Sequence, residues 1–178
     1  MKNLPNIITL SRIILSLSLL GTHTFSQSFF AIYTYCGVSD VLDGFLARKL
    51  NLSNEKGARL DSIADIIFYG VTAFKICPSL CGVLTSPIWC IIIAVALLRI
   101  ISYIVAMIKY HQFASLHTYM NKLTGLLIFT VPYIIAQPFA ISACMIISIV
   151  ALLAALEELV IHISENQYSP DRKSLFAK

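Results

Sequence analysis

Long apolar stretches alternate with short polar segments along the chain. A helix needs about 20 mostly apolar residues to cross a bilayer. Six stretches meet this need, at roughly 6–22, 28–49, 58–77, 87–109, 117–136 and 139–161. Turn-forming residues separate them at 21–27, 51–56, 78–87 and 137–138, and such short connections favour antiparallel neighbours. The pattern predicts an all-α integral membrane protein, with one bundle of six transmembrane helices over residues 1–164 and a polar, solvated tail over 165–178.

The composition supports a membrane protein. Hydrophobic residues make up 58% of the chain and charged residues 12%, whereas soluble domains average about 45–50% and about 25%. This excludes a soluble enzyme and a disordered chain, and a net charge of +4 is too small to indicate a nucleic-acid partner. The five cysteines form no CxxC pair and are interpreted as packing residues, although Cys77 and Cys81 bracket a Pro-Ser-Leu turn and could pair.

The basic residues predict the orientation of the helices. Eleven of the thirteen Lys and Arg residues fall on one side of the predicted spans, Lys75 falls on the other, and Arg99 lies within the fourth span. Cytoplasmic segments carry the excess of Lys and Arg in membrane proteins. We therefore expect both termini and the second-to-third and fourth-to-fifth connections in the cytoplasm, on the inner face of the cell membrane if the source is a bacterium.

Three of the spans lose their apolar character at the same end. Polar residues continue into the expected bilayer at 6–12, 40–49 and 59–65, which all lie at the cytoplasmic side. Polar side chains within a membrane normally face a wet cavity or the interior of the protein. The pattern indicates a polar cavity that opens toward the cytoplasm.

Four of the five aspartates lie in two of these polar ends. Asp40 and Asp43 are three residues apart, and Asp61 and Asp65 are four apart, so each pair lies on one face of its helix. The short connection between the helices places both pairs at the same depth. A carboxylate within a span costs at least about 2.5–3.5 kcal/mol, so four together would cost more than about 10 kcal/mol.

Bound cations would offset this cost. Arg48 and Arg59 can balance two of the four negative charges, and one or two divalent ions would balance the rest. Oxygen-only donors favour Mg²⁺ or Mn²⁺ over zinc or copper. Gly44 and Ala47 follow Asp40 on the same helix face, where small residues let a phosphorylated ligand approach the backbone or, alternatively, let two spans pack closely.

The complete pattern is Asp-x2-Asp-Gly-x2-Ala-Arg-x8-Gly-x3-Asp-x3-Asp, from Asp40 to Asp65. It resembles the signature of the CDP-alcohol phosphotransferases, membrane enzymes that build phospholipid head groups. The resemblance implies metal-dependent transfer of a phosphatidyl group from CDP-diacylglycerol to a small alcohol, with release of CMP. It implies that two metal ions are bound by Asp40, Asp43, Asp61 and Asp65, that Asp65 is also the base, and that CDP is bound by Gly44, Ala47, Arg48 and Gly57. Relatives in this family are commonly homodimers.

Further residues match the family less specifically. Asn6, Thr9 and Arg12 resemble its first-span motif, which implies that Asn6 and Thr9 contact the nucleotide phosphates, unless they only anchor the helix at the interface. Lys122 lies where relatives bind the acceptor's phosphate, although a lysine there could also simply reach water. Arg59 is a second candidate for the acceptor site.

Arg99 is a third candidate for the acceptor site, unless it pairs with a cavity carboxylate. Four other titratable residues receive no role: His23 and His162 are expected at the interface, and Glu157 and Glu158 are expected in solvent at the end of the last span.

The identity of the acceptor stays open. The first-span motif favours glycerol 3-phosphate as the acceptor. However, Ile66 follows Asp65, where phosphatidylglycerophosphate synthases usually have Lys. The segment Leu60–Asp65, together with Gly70, looks more like the corresponding segment of phosphatidylserine synthases. Serine or inositol phosphate is therefore an alternative acceptor. A cation transporter is an alternative of another class, although its acidic residues should be spread over the whole membrane depth. A structural bundle would leave four buried aspartates unexplained.

Overall fold

The computed structural model describes residues 4–49, 55–111, 116, 118–165 and 172–175, with side chains at all of these except 4–6, 41, 43–49, 55–59 and 61–62. Over these residues the chain is all-helical, without a strand. Its α-helices are α1 (Leu4–Ser18), α2 (Gln27–Lys49), α3 (Glu55–Val83), α4 (Ser86–Tyr110), α5 (Tyr119–Ile134) and α6 (Ala140–Ser164). The chain divides into two units, residues 1–81 and 82–178.

The described residues include three helical segments that are long and apolar enough to cross a membrane: Ile63–Val83, Ser86–Tyr110 and Ala140–Ser164. A shorter apolar helical stretch covers Ile7–Gly21. The prediction of an all-α membrane protein is confirmed at this level. Six spans, one bundle and cytoplasmic termini stay predictions.

In the first unit, α1 packs against α2. The Phe29 and Tyr33 rings of α2 stack at 5.9 Å, and Tyr33 contacts Phe68 of α3 at 5.3 Å between ring centroids. Lys75 of α3 donates a hydrogen bond to the carbonyl of Thr22 at 2.5 Å. These contacts connect α1, α2 and α3, the helices that carry the aspartate motif and the first-span motif.

In the second unit, α6 packs against both α4 and α5. Its buried residues are mostly small, among them Ala151, Ala154 and Ala155. In lipid, the hydrophobic effect does not drive helices together, so they associate largely through close packing. Small side chains allow this close approach. The long apolar residues Ile146, Leu153 and Val160 remain exposed on the same helix, as expected for a face in contact with lipid.

The predicted break at 78–87 is wrong for its first half. Pro78 lies within α3, which continues to Val83. A proline removes one backbone hydrogen bond, but in an apolar surrounding an ended helix would leave several more polar groups unsatisfied. Cys77 and Cys81 therefore lie one helical turn apart rather than across a turn, and both are free thiols with their Sγ atoms 4.0 Å apart.

The tail is not wholly solvated, contrary to the prediction. The Lys173 carbonyl accepts a hydrogen bond from the Tyr119 amide at 2.9 Å. The Leu175 amide donates to Glu157 Oε1 at 3.0 Å, and Arg172 pairs with Glu165. The first amides of a helix lack partners within the helix, so the tail carbonyl supplies one to the start of α5.

Candidate active site

Two carboxylates of the aspartate motif meet one arginine in the first unit. Arg12 of α1 donates a hydrogen bond through Nη1 to Asp40 Oδ1 at 2.6 Å. Its Nη2 atom lies 3.4 Å from Asp65 Oδ1. Asp40 belongs to α2 and Asp65 to α3, so residues from three helices converge here. One carboxylate from each aspartate-bearing helix thus lies within reach of the same guanidinium, while a common membrane depth for both pairs stays a prediction.

Burial differs sharply between the cation and the carboxylates. The Arg12 side chain is 0% exposed, whereas the side chains of Asp40 and Asp65 are 37% and 38% exposed. Arg12 therefore contacts the carboxylates from within the protein, and part of each carboxylate remains accessible to a ligand. Carboxylate oxygens are hard donors of the kind that Mg²⁺ or Mn²⁺ prefers, and two such side chains meet here among the described residues.

The other two aspartates lie on the same helices as the described pair. Asp43 follows Asp40 by three residues on α2, and Asp61 precedes Asp65 by four residues on α3. These spacings place each on the helix face of its partner. The side chains of both lie outside the described residues, so their contribution to a metal site stays a prediction.

For all but one of the predicted CDP-binding residues, the structure describes the backbone and not the side chain. The exception is Thr9, whose side chain is buried at 4% exposure on α1. Several others lie on helices with side chains outside the described residues: Asn6, Gly44, Ala47, Arg48, Gly57 and the acceptor candidate Arg59. Their contacts with a nucleotide or acceptor stay predictions.

Sequence reasoning missed the role of Arg12 as the partner of the aspartates. The sequence pattern assigns charge compensation to Arg48 and Arg59 and gives Arg12 only as part of the first-span motif. A usable signal was present, because Arg12 is the one basic residue in the first apolar stretch. An arginine within a span requires an acidic partner, and the nearest polar helix ends carry the aspartates.

Two acceptor candidates, Arg99 and Lys122, belong to the second unit. Arg99 of α4 donates to Glu158 Oε2 at 2.6 Å and to Asn121 Oδ1 at 2.8 Å. It therefore pairs with a carboxylate, one of the two expected roles, but the carboxylate belongs to α6. Lys122 is exposed in the first turn of α5. Acceptor binding by either residue stays a prediction.

The expectations that Glu158 lies in solvent and that His162 lies at the interface are both wrong. Glu158 is 1% exposed and His162 is 0% exposed. Glu158 can be buried because it accepts hydrogen bonds from Arg99, from Asn121 Nδ2 at 2.9 Å and from the Leu116 amide at 3.3 Å. His162 lies one turn further along α6, with Nε2 3.8 Å from Glu158 Oε1.

Comparison with known proteins provides independent evidence on the family of this chain. A family model described as CDP-alcohol phosphatidyltransferase matches residues 2–163. The chain is 39% identical over 69 residues to the CDP-diacylglycerol--glycerol-3-phosphate 3-phosphatidyltransferase of Aquifex aeolicus, covering 37% of this chain and 38% of the relative. It is 36% identical over 74 residues to the protein of the same name from Pseudomonas fluorescens, covering 39% and 38%.

A third relative is a fusion protein from Schizosaccharomyces pombe, named cardiolipin synthase (CMP-forming) / mitochondrial hydrolase. Identity is 33% over 64 residues, which are 35% of this chain and 11% of the relative. The chain thus matches little more than a third of the length of the two bacterial relatives. No solved structure shows significant similarity to it.

Proposed function

Since the chain belongs to the CDP-alcohol phosphatidyltransferase family, we propose that it transfers a phosphatidyl group from CDP-diacylglycerol to glycerol 3-phosphate and releases CMP. The observation that carries the proposal is the meeting of Asp40 and Asp65 on the buried Arg12, with part of each carboxylate accessible. Both residues belong to the motif typical of the family. Two relatives named for transfer to glycerol 3-phosphate support this acceptor.

The metal site of the proposal consists of the four motif aspartates. Asp40 and Asp65, with Asp43 and Asp61 one helical turn away, would hold one or two Mg²⁺ or Mn²⁺ ions. Divalent cations stabilise the negative charge that develops on phosphate oxygens during such a transfer. Arg48, Gly44, Ala47 and Gly57 would bind the CDP portion.

In the proposed reaction, Asp65 acts as the general base. Its carboxylate takes the proton from the acceptor hydroxyl, whose oxygen forms a bond to the lipid-linked phosphorus. The bond from that phosphorus to the CMP oxygen breaks, and CMP leaves with the electron pair. The resting Asp65 carboxylate is ion-paired and 38% exposed, so it is accessible to a substrate.

The membrane arrangement belongs to the same proposal. We place the active site at the cytoplasmic rim of the membrane, with six spanning helices, so that the acyl chains of the substrate stay in lipid while CMP leaves into water. The protein would act as a homodimer, as is common among relatives. Lys122, which is exposed, would bind the acceptor's phosphate.

One observation favours a second acceptor. Position 66 carries Ile, which is 73% exposed, rather than the lysine expected next to the fourth aspartate of a phosphatidylglycerophosphate synthase. This keeps serine or inositol phosphate as an alternative acceptor for the same chemistry. Membership of an enzyme family leaves the transporter alternative without support.

A reaction with radiolabelled CDP-diacylglycerol tests the proposal. The purified protein in detergent, with Mn²⁺ or Mg²⁺, is offered glycerol 3-phosphate, serine and inositol phosphate in separate reactions. We expect CMP release with glycerol 3-phosphate and its loss in Asp65→Asn. Glu157→Gln makes the same change of carboxylate to amide outside the site and should retain activity. CMP release no higher than that of Asp65→Asn with every acceptor would refute the enzymatic assignment.

A further inference from the structure

Arg12 is a fully buried cation that contacts carboxylates from two different helices. Its side chain is 0% exposed, with Nη1 2.6 Å from Asp40 and Nη2 3.4 Å from Asp65. A guanidinium cannot lose its charge in a protein, so burial requires acidic partners. The two aspartates in turn repel each other and need a positive charge near them. The contact therefore provides acidic partners for Arg12 and a positive charge for the two aspartates.

We propose that Arg12 is the internal counter-cation of the metal site. It holds Asp40 and Asp65 together and carries part of their charge, so that α1, α2 and α3 assemble before any metal ion binds. The inference rests on the proposed function, because it takes the aspartates to be metal ligands. Arg12 is a positioning residue, since it acts through the carboxylates rather than on the substrate.

Burial argues against a direct role in phosphate binding. Both terminal nitrogens of Arg12 are directed to aspartates, and none of its side-chain surface is accessible. Its neighbours on the α1 face are buried too, with Thr9 at 4% and Ser16 at 0% exposure. The backbone carbonyl of Arg12 faces the buried Cys36 Sγ at 3.9 Å. A nucleotide phosphate would reach Arg12 only after the helices separated.

The charge of Arg12 has a measurable consequence for metal affinity. A fixed positive charge beside a divalent ion weakens the binding of that ion. For a single and a double positive charge a few ångströms apart, with an effective dielectric constant near that of water, the repulsion corresponds to roughly a tenfold change in affinity. Removing the charge should therefore destabilise the metal-free protein and, at the same time, make the metal ion bind more tightly.

Thermal unfolding in detergent over a series of Mn²⁺ concentrations tests the proposal. In Arg12→Gln we expect a lower midpoint without metal, a larger rise on adding Mn²⁺, and an apparent dissociation constant on the order of tenfold lower than in the wild type. Arg12→Lys keeps the charge but not the two-pronged contact. It should have an intermediate midpoint without metal and the affinity of the wild type for Mn²⁺.

Lys75→Gln is the matched control, because Lys75 also donates to a neighbouring element of the first unit but contacts the Thr22 carbonyl instead of an aspartate. Its midpoint should fall equally with and without Mn²⁺. Unchanged or weaker Mn²⁺ affinity in Arg12→Gln, with a clear metal effect on the wild type, would overturn the inference alone. A higher KM for CDP-diacylglycerol without a change in Mn²⁺ affinity would also overturn it, in favour of phosphate binding. No effect of Mn²⁺ on the wild type would overturn the metal site itself, and the inference with it.

Discussion

Replacing Glu158 by alanine removes the anion of a buried ion pair in the second unit. One Glu158 oxygen accepts hydrogen bonds from Arg99 at 2.6 Å and Asn121 at 2.9 Å, and the other accepts from the Leu116 amide at 3.3 Å. Breaking a buried pair from one side costs roughly 3–5 kcal/mol, because the remaining charge is uncompensated. The Arg99 side chain is 26% exposed and water can solvate part of it, so we expect a loss of about 3 kcal/mol.

Unfolding of the protein in mixed micelles of detergent and SDS measures this loss. The chain has one tryptophan, Trp89, which lies on α4 and so reports on the second unit. Glu157→Ala is the control, since Glu157 accepts one hydrogen bond, from the Leu175 amide. A hydrogen bond to a charged group contributes about 1.5–3 kcal/mol, and because Glu157 is only partly buried we expect a loss near the lower end of this range. Glu158→Gln keeps an acceptor oxygen without the charge and should lie between the two alanine variants.

Equal destabilisation by the two alanine substitutions would contradict this prediction. It would mean that the ion pair between α4 and α6 adds no more stability than one tail hydrogen bond. A loss of less than about 1 kcal/mol in Glu158→Ala, which is the size of an ordinary substitution, would refute it as well.

Two further predictions concern α5. Lys122→Ala should raise the KM for glycerol 3-phosphate about tenfold, as expected for a lost charged hydrogen bond. The KM for CDP-diacylglycerol should stay unchanged. An equal effect on the KM of both substrates in steady-state kinetics would contradict a role in acceptor binding. Thr118→Ala should lower the free energy of unfolding by about 1 kcal/mol, because Thr118 Oγ1 accepts the Asn121 amide at 3.2 Å as the N-cap. Thr118→Ser keeps this acceptor, so equal losses in the two variants would argue against capping.

The helices could be predicted where hydropathy alone determines them. α4 (Ser86–Tyr110) and α6 (Ala140–Ser164) lie within a few residues of the predicted spans, because an apolar run of that length has few alternatives to a spanning helix. The end of α3 was less predictable. Pro78 reads as a break by rules drawn from proteins in water, where the freed backbone groups find a solvent partner.

The sequence predicts which kind of residue a buried charge must pair with, but not which particular residue that is. Arg12 and Arg99 each required an acid, but the acids lie 28 and 59 residues away along the chain. Local spacing identifies which residues share a helix face, but it does not determine which helix faces contact each other. For the same reason the sequence pattern favours solvent for Glu158, whose burial depends on donors from α4, from α5 and from Leu116.

We propose that phosphatidyl transfer requires metal ions held by the aspartates of α2 and α3. CMP release from radiolabelled CDP-diacylglycerol, with glycerol 3-phosphate present, is measured before chelation with EDTA, after it, and again after Mn²⁺ is restored. We predict that release falls to the level of the reaction without enzyme and returns with Mn²⁺. Release that continues undiminished in EDTA would contradict the claim.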